Sequence, residues 1–386
     1  MLFELESKPE EYLRPFFDSK NGVWKICGFN DVYSILHNPE ALVSDAPKNL
    51  TLLQSRSNLD FLSLIQMFNG TLIFRNHIDH ERGRNFLKNG LLINSALVSR
   101  ATIQGQVRKI LSSVPLNKEI DAISLISNKI PSSVMGNLLG LEMETCDEIS
   151  LLNSSLVRLW EPLQPISNYM QGNLIAKKAI ELISQGISLK KNHVLNSWFS
   201  MGQSNYQLSK SEISSLLLFL FIVGIEETSA FLGNALLILL TETQLNQPNN
   251  FKDANVQPYV YEMLRFCGPI RSVSHRTFSN PIILSGTEIP PNSAIECNVE
   301  LAHFDPNIFE NPGIFDPNRG GAKPIVFGGG IHSCIGRRLA LVQATSLLQE
   351  LSLNYKLAQE NVNPQWDNHY QPLRRQKELL LTLSHQ

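Results

Sequence analysis

The spacing of apolar side chains along the chain is mainly that of amphipathic helices. In several stretches an apolar position recurs every three or four residues, and this repeat is typical of helices that bury one face. The predicted helices are Asp31–His37, Ile120–Leu139, Asn173–Ser188, Lys210–Leu240, Gln257–Phe266 and Arg337–Leu351. Runs with the composition of β-strands are short and few, at Gly22–Ile26, Pro281–Leu284 and Ala294–Val299. The pattern predicts a mainly α protein with a minor β part.

Composition adds little about function but excludes several classes of protein. No repeat or low-complexity linker divides the 386 residues, so we expect a single domain over residues 1–386. A net charge of -2 gives no reason to expect nucleic-acid binding. The amino-terminal segment is acidic and contains Pro9, unlike a signal peptide. The most apolar run, Leu216–Ile225, is about half of the ~20 residues that a membrane helix needs. We therefore expect a cytoplasmic protein that binds neither a membrane nor nucleic acid.

The segment Phe304–Ser333 lacks any helical repeat and is interrupted by prolines and glycines. An irregular stretch of this length inside a compact protein is usually functional, because its exposed backbone must be held by specific contacts. The segment therefore indicates a long ordered loop that contributes to a cofactor site.

Five cysteines lie far apart in the sequence and form no metal-binding pair. We interpret four of them as small buried apolar residues, namely Cys27, Cys146, Cys267 and Cys297. Cys334 differs, because it ends a glycine-rich loop directly before a predicted helix. The unpaired N–H groups and positive partial charge of a helix N-terminus favour thiolate over thiol. Cys334 is thus the candidate reactive cysteine.

The ten residues from Phe327 to Gly336, FGGGIHSCIG, resemble the haem-binding loop of the cytochromes P-450. The resemblance implies the fold of that family: mainly α with minor β, a single large domain with small β-sheets, and a haem between the long central helix and the cysteine loop. It implies that Cys334 ligates the iron of a haem b held without a covalent bond. The loop residues that would contact the haem or the sulfur are Phe327, Gly328, His332 and Gly336, with His332 reaching a propionate.

A second resemblance joins one helix to the irregular segment. Glu262 and Arg265 alone form an i, i+3 pair of a kind that is common on helices. In the family such a pair is joined by an arginine that here is Arg319, in the sequence FDPNR. We expect the three residues to form a buried ionic network that stabilises the structure rather than taking part in catalysis.

Two further segments resemble the family's haem-propionate contacts. The stretch NHIDHERGR contains His80 and Arg84, four residues apart, although His77 and Ile78 stand where the family usually has prolines. Arg276 follows an apolar stretch at the place of a third cation, and its planar guanidinium suits a carboxylate. The resemblance implies that His80, Arg84 and Arg276 bind the propionates.

The predicted central helix departs from the family at the oxygen site. Gly224 occupies the family's small-residue position and Glu226 the acidic one, but Glu227 replaces the usual threonine and Thr228 stands one residue late. Four interpretations are open. A protonated Glu227 could donate the hydrogen bond, a π-type widening could bring in Thr228, Glu227 could bind a cationic substrate, or Glu227 could only organise water. We treat Glu226, Glu227 and Thr228 as candidate catalytic residues.

The resemblance implies an enzyme that activates O2 with two externally supplied electrons and oxidises an organic molecule, most often by hydroxylation. Since the recognised fold occupies the whole chain, NAD(P)H would act through a ferredoxin and its NAD(P)H-dependent reductase. A basic docking face could include Lys88, Arg100, Arg337 and Arg338, although an ordinary solvated surface explains these charges equally well. The missing threonine leaves open a peroxide-driven or non-hydroxylating enzyme that couples or desaturates its substrate. A haem-thiolate sensor or carrier is the non-enzymatic alternative.

We expect the region 151–200 to cover the substrate. Its apolar residues suggest a largely apolar substrate of the kind found in secondary metabolism, and packing in the core explains these residues equally well. They are Leu156, Leu159, Trp160, Pro162, Ile166, Tyr169 and Met170.

Overall fold

The computed structural model describes residues 12–161, 164–188, 192–242, 245, 251, 256–359, 362, 364–367 and 371–386. Its α-helices are α1 (Phe29–His37), α2 (Ala46–Ser57), α3 (Leu62–Gly70), α4 (His77–Ile93), α5 (Arg100–Ser113), α6 (Lys129–Leu139), α7 (Met143–Arg158), α8 (Ile166–Ser188), α9 (His193–Tyr206), α10 (Lys210–Thr241), α11 (Val256–Cys267), α12 (Val299–Ala302) and α13 (Arg337–Asn354). Its strands are β1 (Phe16–Asp18), β2 (Val23–Ile26), β3 (Leu42–Val43), β4 (Glu119–Asp121), β5 (Ser272–Thr277), β6 (Ile282–Leu284), β7 (Thr287–Ile289), β8 (Ile295–Asn298), β9 (Tyr355–Ala358), β10 (Gln365–Asp367), β11 (Arg375–Glu378) and β12 (Leu380–His385). The predicted class, mainly α with small sheets, is confirmed.

Four of the six predicted helices are confirmed to within three residues at each end, the helix predicted over Asn173–Ser188 begins seven residues earlier at Ile166, and the sixth is partly wrong. The stretch predicted as a helix over Ile120–Leu139 begins with β4, continues as a π-helix at Ile123–Ser127, and becomes α-helical only at Lys129. The reason is tertiary, since β4 pairs with β12 in an antiparallel ladder that joins Ile120 to Leu381. Apolar spacing over so few residues does not distinguish a strand from a helical turn.

The chain groups into two compact units. Unit 1 contains Met1–Ser44, Ala254–Cys334 and Gln371–Arg374, and unit 2 contains Asp45–Asp253, Ile335–Tyr370 and Arg375–Gln386. Our expectation of a single domain stays a prediction.

Unit 1 is built on a five-stranded sheet of order β1-β2-β8-β5-β3, in which β2 and β8 run parallel. Helix α1 covers this sheet, and its buried residues Phe29, Val32 and Ile35 join Ile26 and Ile295 in one apolar core. The long irregular segment predicted over Phe304–Ser333 is confirmed; its one regular element is a 3-10 turn at Gly330–His332. It packs Phe309 and Ile325 into the same core.

Unit 2 is organised around α10, a helix of 32 residues. The helix begins with a capping box, in which Ser209 accepts from the Glu212 N–H and the Glu212 carboxylate accepts from the Ser209 N–H. Helices of unit 2 pack around it, and its apolar residues from Ile213 to Ile225 lie in one large core; these helices are α3, α4, α6, α7, α8, α9 and α13. Two small sheets, β4-β12-β9 and β10-β11, complete the unit.

Among the described residues, α10 is the helix that by length and composition could cross a membrane. Within its most apolar window, 83% of the residues are buried inside the protein. This burial is typical of a core helix, because a membrane span exposes an apolar surface to lipid.

Candidate functional site

The cysteine loop belongs to unit 1 and is closed by its own backbone. The N–H of Cys334 donates to the carbonyl oxygen of Phe327 at 2.8 Å, and the N–H of Ser333 donates to Gly330 at 3.2 Å. Gly328 and Gly330 have φ angles of 64° and 56°, in the left-handed region that favours glycine. The loop is therefore a tight, preformed turn that ends at the cysteine.

Two glycines of this loop pack closely against α1. A β-carbon on Gly329 would lie 2.3 Å from the ring of His37, and one on Gly330 would lie 3.0 Å from the carbonyl oxygen of Leu36. The absence of a side chain at both positions therefore allows the close contact between the loop and α1.

Exposure distinguishes Cys334 from the other cysteines. Cys334 is exposed, whereas Cys27, Cys146, Cys267 and Cys297 are buried, as predicted. Burial raises the pKa of each of these four thiols to about 12. They are thus protonated and inert at neutral pH, and Cys334 is the accessible thiol.

The structure brings Glu262, Arg265 and Arg319 together in unit 1. Arg265 donates to both carboxylate oxygens of Glu262, with Nη2–Oε1 2.7 Å and Nε–Oε2 2.9 Å, and Arg319 Nε lies 3.3 Å from Glu262 Oε1. The Glu262 and Arg265 side chains are 5% and 2% exposed. The arginines also donate to the carbonyl oxygens of His303, directly before the irregular segment, and of Ile314 within it. The network therefore ties α11 to that segment.

His303 completes this part of unit 1 and was not singled out from the sequence. Its Nε2 accepts from the N–H of Ile325 at 2.9 Å, so Nε2 carries no proton. Burial and the charge of Arg265 lower the pKa of His303 to about 3. A neutral histidine thus holds the irregular segment shortly before the cysteine loop.

Arg276, on β5 of unit 1, is a buried cation. Its side chain is 8% exposed, and among the described residues no carboxylate lies within ion-pair distance of it. Burial lowers the pKa of Arg276, because desolvation penalises its charge. A buried guanidinium is normally paired, so this position suits the carboxylate of a ligand.

His80 and Arg84 lie one turn apart on α4 in unit 2. The His80 side chain is buried and Arg84 is half-buried. Positions i and i+4 share one helix face, so both side chains can reach the same anion. Helix α4 begins at His77, a residue with a positive φ of 51°.

Three residues interrupt the burial of α10. Between Ile213 and Leu240 every residue is buried except Val223, Gly224 and Glu227. At about 100° per residue these three share one face of the helix, with Glu227 near its centre. An otherwise enclosed helix thus opens along one short strip, at the place where the sequence analysis expects the oxygen site.

The Glu227 carboxyl is shielded from water although the residue as a whole is only half-buried. Its Oε2 is inaccessible to solvent and has no hydrogen-bond partner in the described part of the protein. Burial, with a smaller contribution from the charge of Glu226, raises the pKa of Glu227 from 4.5 to about 8. Glu227 is therefore mostly protonated at neutral pH, so it carries an O–H donor.

Glu226 and Thr228 lie on either side of the strip and are buried, at 6% each. Helix α10 is α-helical throughout, without the π-type widening that would turn Thr228 into the position of Glu227. Glu226 is paired with Arg375 of β11, a residue that sequence reasoning missed because it lies 149 positions away.

The small residue at position 224 also has a packing role. A β-carbon on Gly224 would lie 2.5 Å from Sδ of Met135, on α6. Met135 is fully buried, so any larger residue at 224 would displace it.

The four basic residues proposed as a docking face, Lys88, Arg100, Arg337 and Arg338, are exposed and belong to unit 2. Arg100 donates to Gln349 at 3.0 Å, so part of its role is structural. The others remain candidates for docking.

The residues expected to cover the substrate divide into two groups. Leu156, Leu159 and Trp160 are buried in the core of unit 2, which supports core packing for them. Ile166 and Met170 are 47% and 48% exposed on α8. Tyr169 is partly buried against the core, and Pro162 lies outside the described residues.

The residues present fit a haem with a thiolate ligand. Unit 1 offers an exposed cysteine in a preformed loop and a buried arginine that has no carboxylate within ion-pair distance among the residues that the structure describes. Unit 2 offers the pair His80 and Arg84 and the open strip on α10. These donor types match the thiolate and propionate contacts that a haem requires.

The family model that matches and a similar curated protein are both cytochromes P450. A family model described as Cytochrome P450 matches residues 256–383. The biotin biosynthesis cytochrome P450 of Bacillus subtilis (strain 168) is 26% identical over 340 residues, which cover 86% of this chain and 84% of that protein.

Solved structures agree at the level of the fold. P450BioI in complex with a hexadec-9Z-enoic acid ligated acyl carrier protein has a TM-score of 0.79 at 23% identity, covering 94% of this chain and 92% of that one. Myxobacterial CYP267B1 in complex with myristic acid has a TM-score of 0.81 at 20% identity, covering 100% and 99%.

Proposed function

The chain belongs to the cytochrome P450 family of monooxygenases, and from this premise we propose that it hydroxylates a largely apolar organic substrate with electrons from a ferredoxin. One observation carries the proposal, namely that Cys334 is the exposed thiol at the end of a preformed glycine-rich loop while the other four thiols are buried. The family implies a haem cofactor. We propose haem b without a covalent link, because the sequence lacks a CxxCH attachment motif.

In this proposal Cys334 holds the haem iron through its thiolate, and the loop residues Phe327, Gly328 and Gly336 shape the surroundings of the sulfur. His332, Arg276, His80 and Arg84 hold the propionates. When bound, the haem supplies the redox centre for oxygen activation, and its thiolate ligand favours O–O cleavage.

The protein's own contribution to oxygen chemistry is proton supply from α10. Glu227 takes the place of the family's threonine as hydrogen-bond donor, since its raised pKa keeps the carboxyl protonated at neutral pH. Glu226 is the acid beside it. Thr228 is kept as a candidate that acts only if Glu227 does not.

We expect Glu227→Gln and Glu227→Ala to differ in the fraction of NAD(P)H electrons that appear in product. Gln keeps a donor and Ala removes it, so the Ala variant should release several times more hydrogen peroxide per product. Glu227→Thr should restore at least moderate coupling. The measurement is product and peroxide formed per NAD(P)H consumed.

The pH dependence provides the control for this prediction. The Glu227 carboxyl can donate below its pKa of about 8 and only accept above it, so parent coupling should fall as the pH rises through that value. The folded pKa of Glu227 lies above its ordinary value of 4.5, so the folded parent loses stability as the pH rises from 4.5 to about 8. The Glu227→Gln variant should lose less stability over the same range.

Equal coupling in all four proteins would contradict the role of Glu227. Lost substrate affinity with unchanged coupling in Gln and Thr would instead indicate a site for a cationic substrate.

For the substrate, we propose a long apolar chain such as a fatty acid or an acyl chain. The support is that related proteins are described with a fatty acid and with an acyl carrier protein bound. The exposed apolar residues Ile166 and Met170 on α8 also fit this class of substrate.

A turnover experiment tests the proposed function. The purified holoprotein is supplied with a fatty acid, isotopically labelled O2, NAD(P)H, a ferredoxin and its reductase. We expect one labelled oxygen atom per product molecule. Turnover with hydrogen peroxide but not with the redox partners would favour the peroxide-driven alternative, which the replaced threonine motivates. A product without labelled oxygen would favour coupling or desaturation. A sixth haem ligand from the protein would favour a sensor, whereas a substrate-induced spin shift would favour the enzyme.

A further inference from the structure

A cavity of about 450 Å³ lies in unit 2 beside the amino-terminal end of α10. It is bounded by α3, the start of α4 and the first turns of α10. Its apolar lining includes Ile65, Leu72, Leu208 and Leu216. Cavities of this size hold organic ligands. At about 30 Å³ for a water-sized group, this one has room for roughly fifteen such groups.

The cavity is separate from the oxygen site. Glu212, which lines it, precedes Glu227 by fifteen residues on α10, and this spacing corresponds to about 22 Å along the helix axis. The described lining residues include none of the three that form the open strip of α10. A ligand in the cavity would therefore leave the oxygen site free for a second molecule.

Two arginines bring a surplus of hydrogen-bond donors to the cavity. Arg75 donates to Asn69 Oδ1 at 2.8 Å and pairs with Asp79 Oδ2 at 2.9 Å. Within the described part of the chain, Arg82 bonds only to Glu212 Oε1, at 2.6 Å. A guanidinium has five N–H donors, so most donors of both arginines have no protein acceptor there. Their side chains are 21% and 38% exposed, which leaves them accessible to a ligand.

Glu212 does not depend on Arg82 for its hydrogen bonds. Its Oε2 accepts from the N–H of Ser209 at 2.8 Å and from the Ser209 hydroxyl at 2.9 Å. Burial raises the pKa of Glu212, but the bonds from Ser209 and, after them, the charge of Arg82 outweigh burial, so the net shift is downward. Arg82 can therefore exchange Glu212 for another anion while the Glu212 carboxylate stays hydrogen-bonded.

We propose that the cavity is a second ligand site, which binds an amphipathic carboxylate through Arg82 and Arg75 and holds its apolar chain against the aliphatic lining. The planar fork of a guanidinium matches a carboxylate, and covering a hydrocarbon chain removes apolar surface from water. A cationic ligand would have to displace an arginine from its carboxylate, and a purely apolar ligand would leave the arginine donors unused. The proposal goes beyond the proposed function, because binding at this site requires no turnover.

Equilibrium dialysis of the purified holoprotein with radiolabelled dodecanoate tests the proposal. A spin shift of the haem reports dodecanoate at the oxygen site, whereas dialysis counts every bound molecule. The parent should bind one dodecanoate per chain in addition to any molecule that the spin shift reports. Arg82→Gln should weaken only this additional binding, by about ten-fold or more, because hydrogen bonds from a charged group are lost.

Three further variants distinguish the cavity from a general effect of charge. Ser211→Trp introduces a large side chain at an exposed lining residue without changing a charge, so it should fill the cavity and abolish the additional binding. Glu212→Gln removes the anion that competes for Arg82 and should tighten binding several-fold, while Gln can still serve in the capping box. Arg82→Lys keeps the charge but not the planar fork, so its affinity should lie between those of the parent and Arg82→Gln.

The matched control is Arg108→Gln, which removes an arginine paired at 3.3 Å with the mostly buried Glu350 elsewhere in unit 2. It should change neither the additional binding nor the spin shift. Dodecanol has the same chain without the carboxylate. It should bind more weakly than dodecanoate and should not respond to Arg82→Gln.

Two results would overturn the proposal. One is a parent protein that binds no dodecanoate beyond the molecule reported by the spin shift, and the other is additional binding that neither Arg82→Gln nor Ser211→Trp reduces. Failure of the proposed function is a different result. If the holoprotein shows no spin shift and forms no oxygenated product, the proposed function fails, while one dodecanoate per chain that is lost in Arg82→Gln and Ser211→Trp still supports the second site.

Discussion

Replacing Cys334 with His is expected to abolish the thiolate signature in the absorption spectrum of the reduced carbon monoxide complex. The reason is that the thiolate is the ligand that donates electron density to the haem iron, and an imidazole donates much less. Monooxygenation should fall to background, since the same electron donation favours O–O cleavage. The measurement is the difference spectrum, together with haem content per chain.

Cys146→Ala is the matched control for this prediction. Cys146 is buried in the core of unit 2, and burial raises the pKa of its thiol to about 12, so it is protonated at neutral pH and enclosed by other side chains. The variant should keep the parent spectrum. An unchanged spectrum in Cys334→His would show that another residue ligates the iron and would remove the central assignment.

Glu262→Ala is expected to leave little folded holoprotein. The substitution strands the buried guanidinium of Arg265, and breaking a buried ion pair from one side costs about 3–5 kcal/mol of unfolding free energy. That loss is comparable to a large part of a typical protein's stability. Arg265 is further enclosed by the rings of Phe304 and Phe309, each 5.4 Å from its guanidinium carbon, so it cannot reach water without disturbing the core. Arg265→Ala should be equally severe.

Asp147→Ala provides the comparison for Glu262→Ala. Asp147 pairs with Lys129 at 3.0 Å, but these side chains are 49% and 43% exposed. Removing an exposed pair should change the unfolding free energy by about 0.2–1 kcal/mol. Thermal unfolding and soluble yield measure both effects. Parent-like yield and haem content for Glu262→Ala and Arg265→Ala would mean that the network does not hold the irregular segment.

The two predictions concern different properties of unit 1. The Cys334→His variant tests the chemistry of the site, because it should fold and still lose the thiolate signature from its absorption spectrum. The Glu262→Ala variant tests the framework, because it should lose the contacts that hold the segment before the cysteine loop. A Glu262 variant that folded with a changed spectrum would instead link the network directly to the ligand.

Much of the candidate site could be predicted from local sequence. The order of glycines before Cys334, the four-residue spacing of His80 and Arg84, and the i, i+3 spacing of Glu262 and Arg265 are properties of short segments. The long apolar run of α10 also predicts a buried helix directly. In each case the backbone periodicity determines which side chains share a face, and that information is already present in the sequence.

Other features were decided by the tertiary structure. Ile120 is in a strand because β12 pairs with it, and a side chain at Gly329 would meet the ring of His37. Glu226 is held by Arg375, which no local pattern connects to it. The sequence by itself determined the family resemblance, the iron ligand candidate and most of the helical framework, because these depend on residue type and short spacing. The charge of Glu226 and the raised pKa of Glu227 depend on burial and on residues brought from distant parts of the chain, so only the folded structure could decide them.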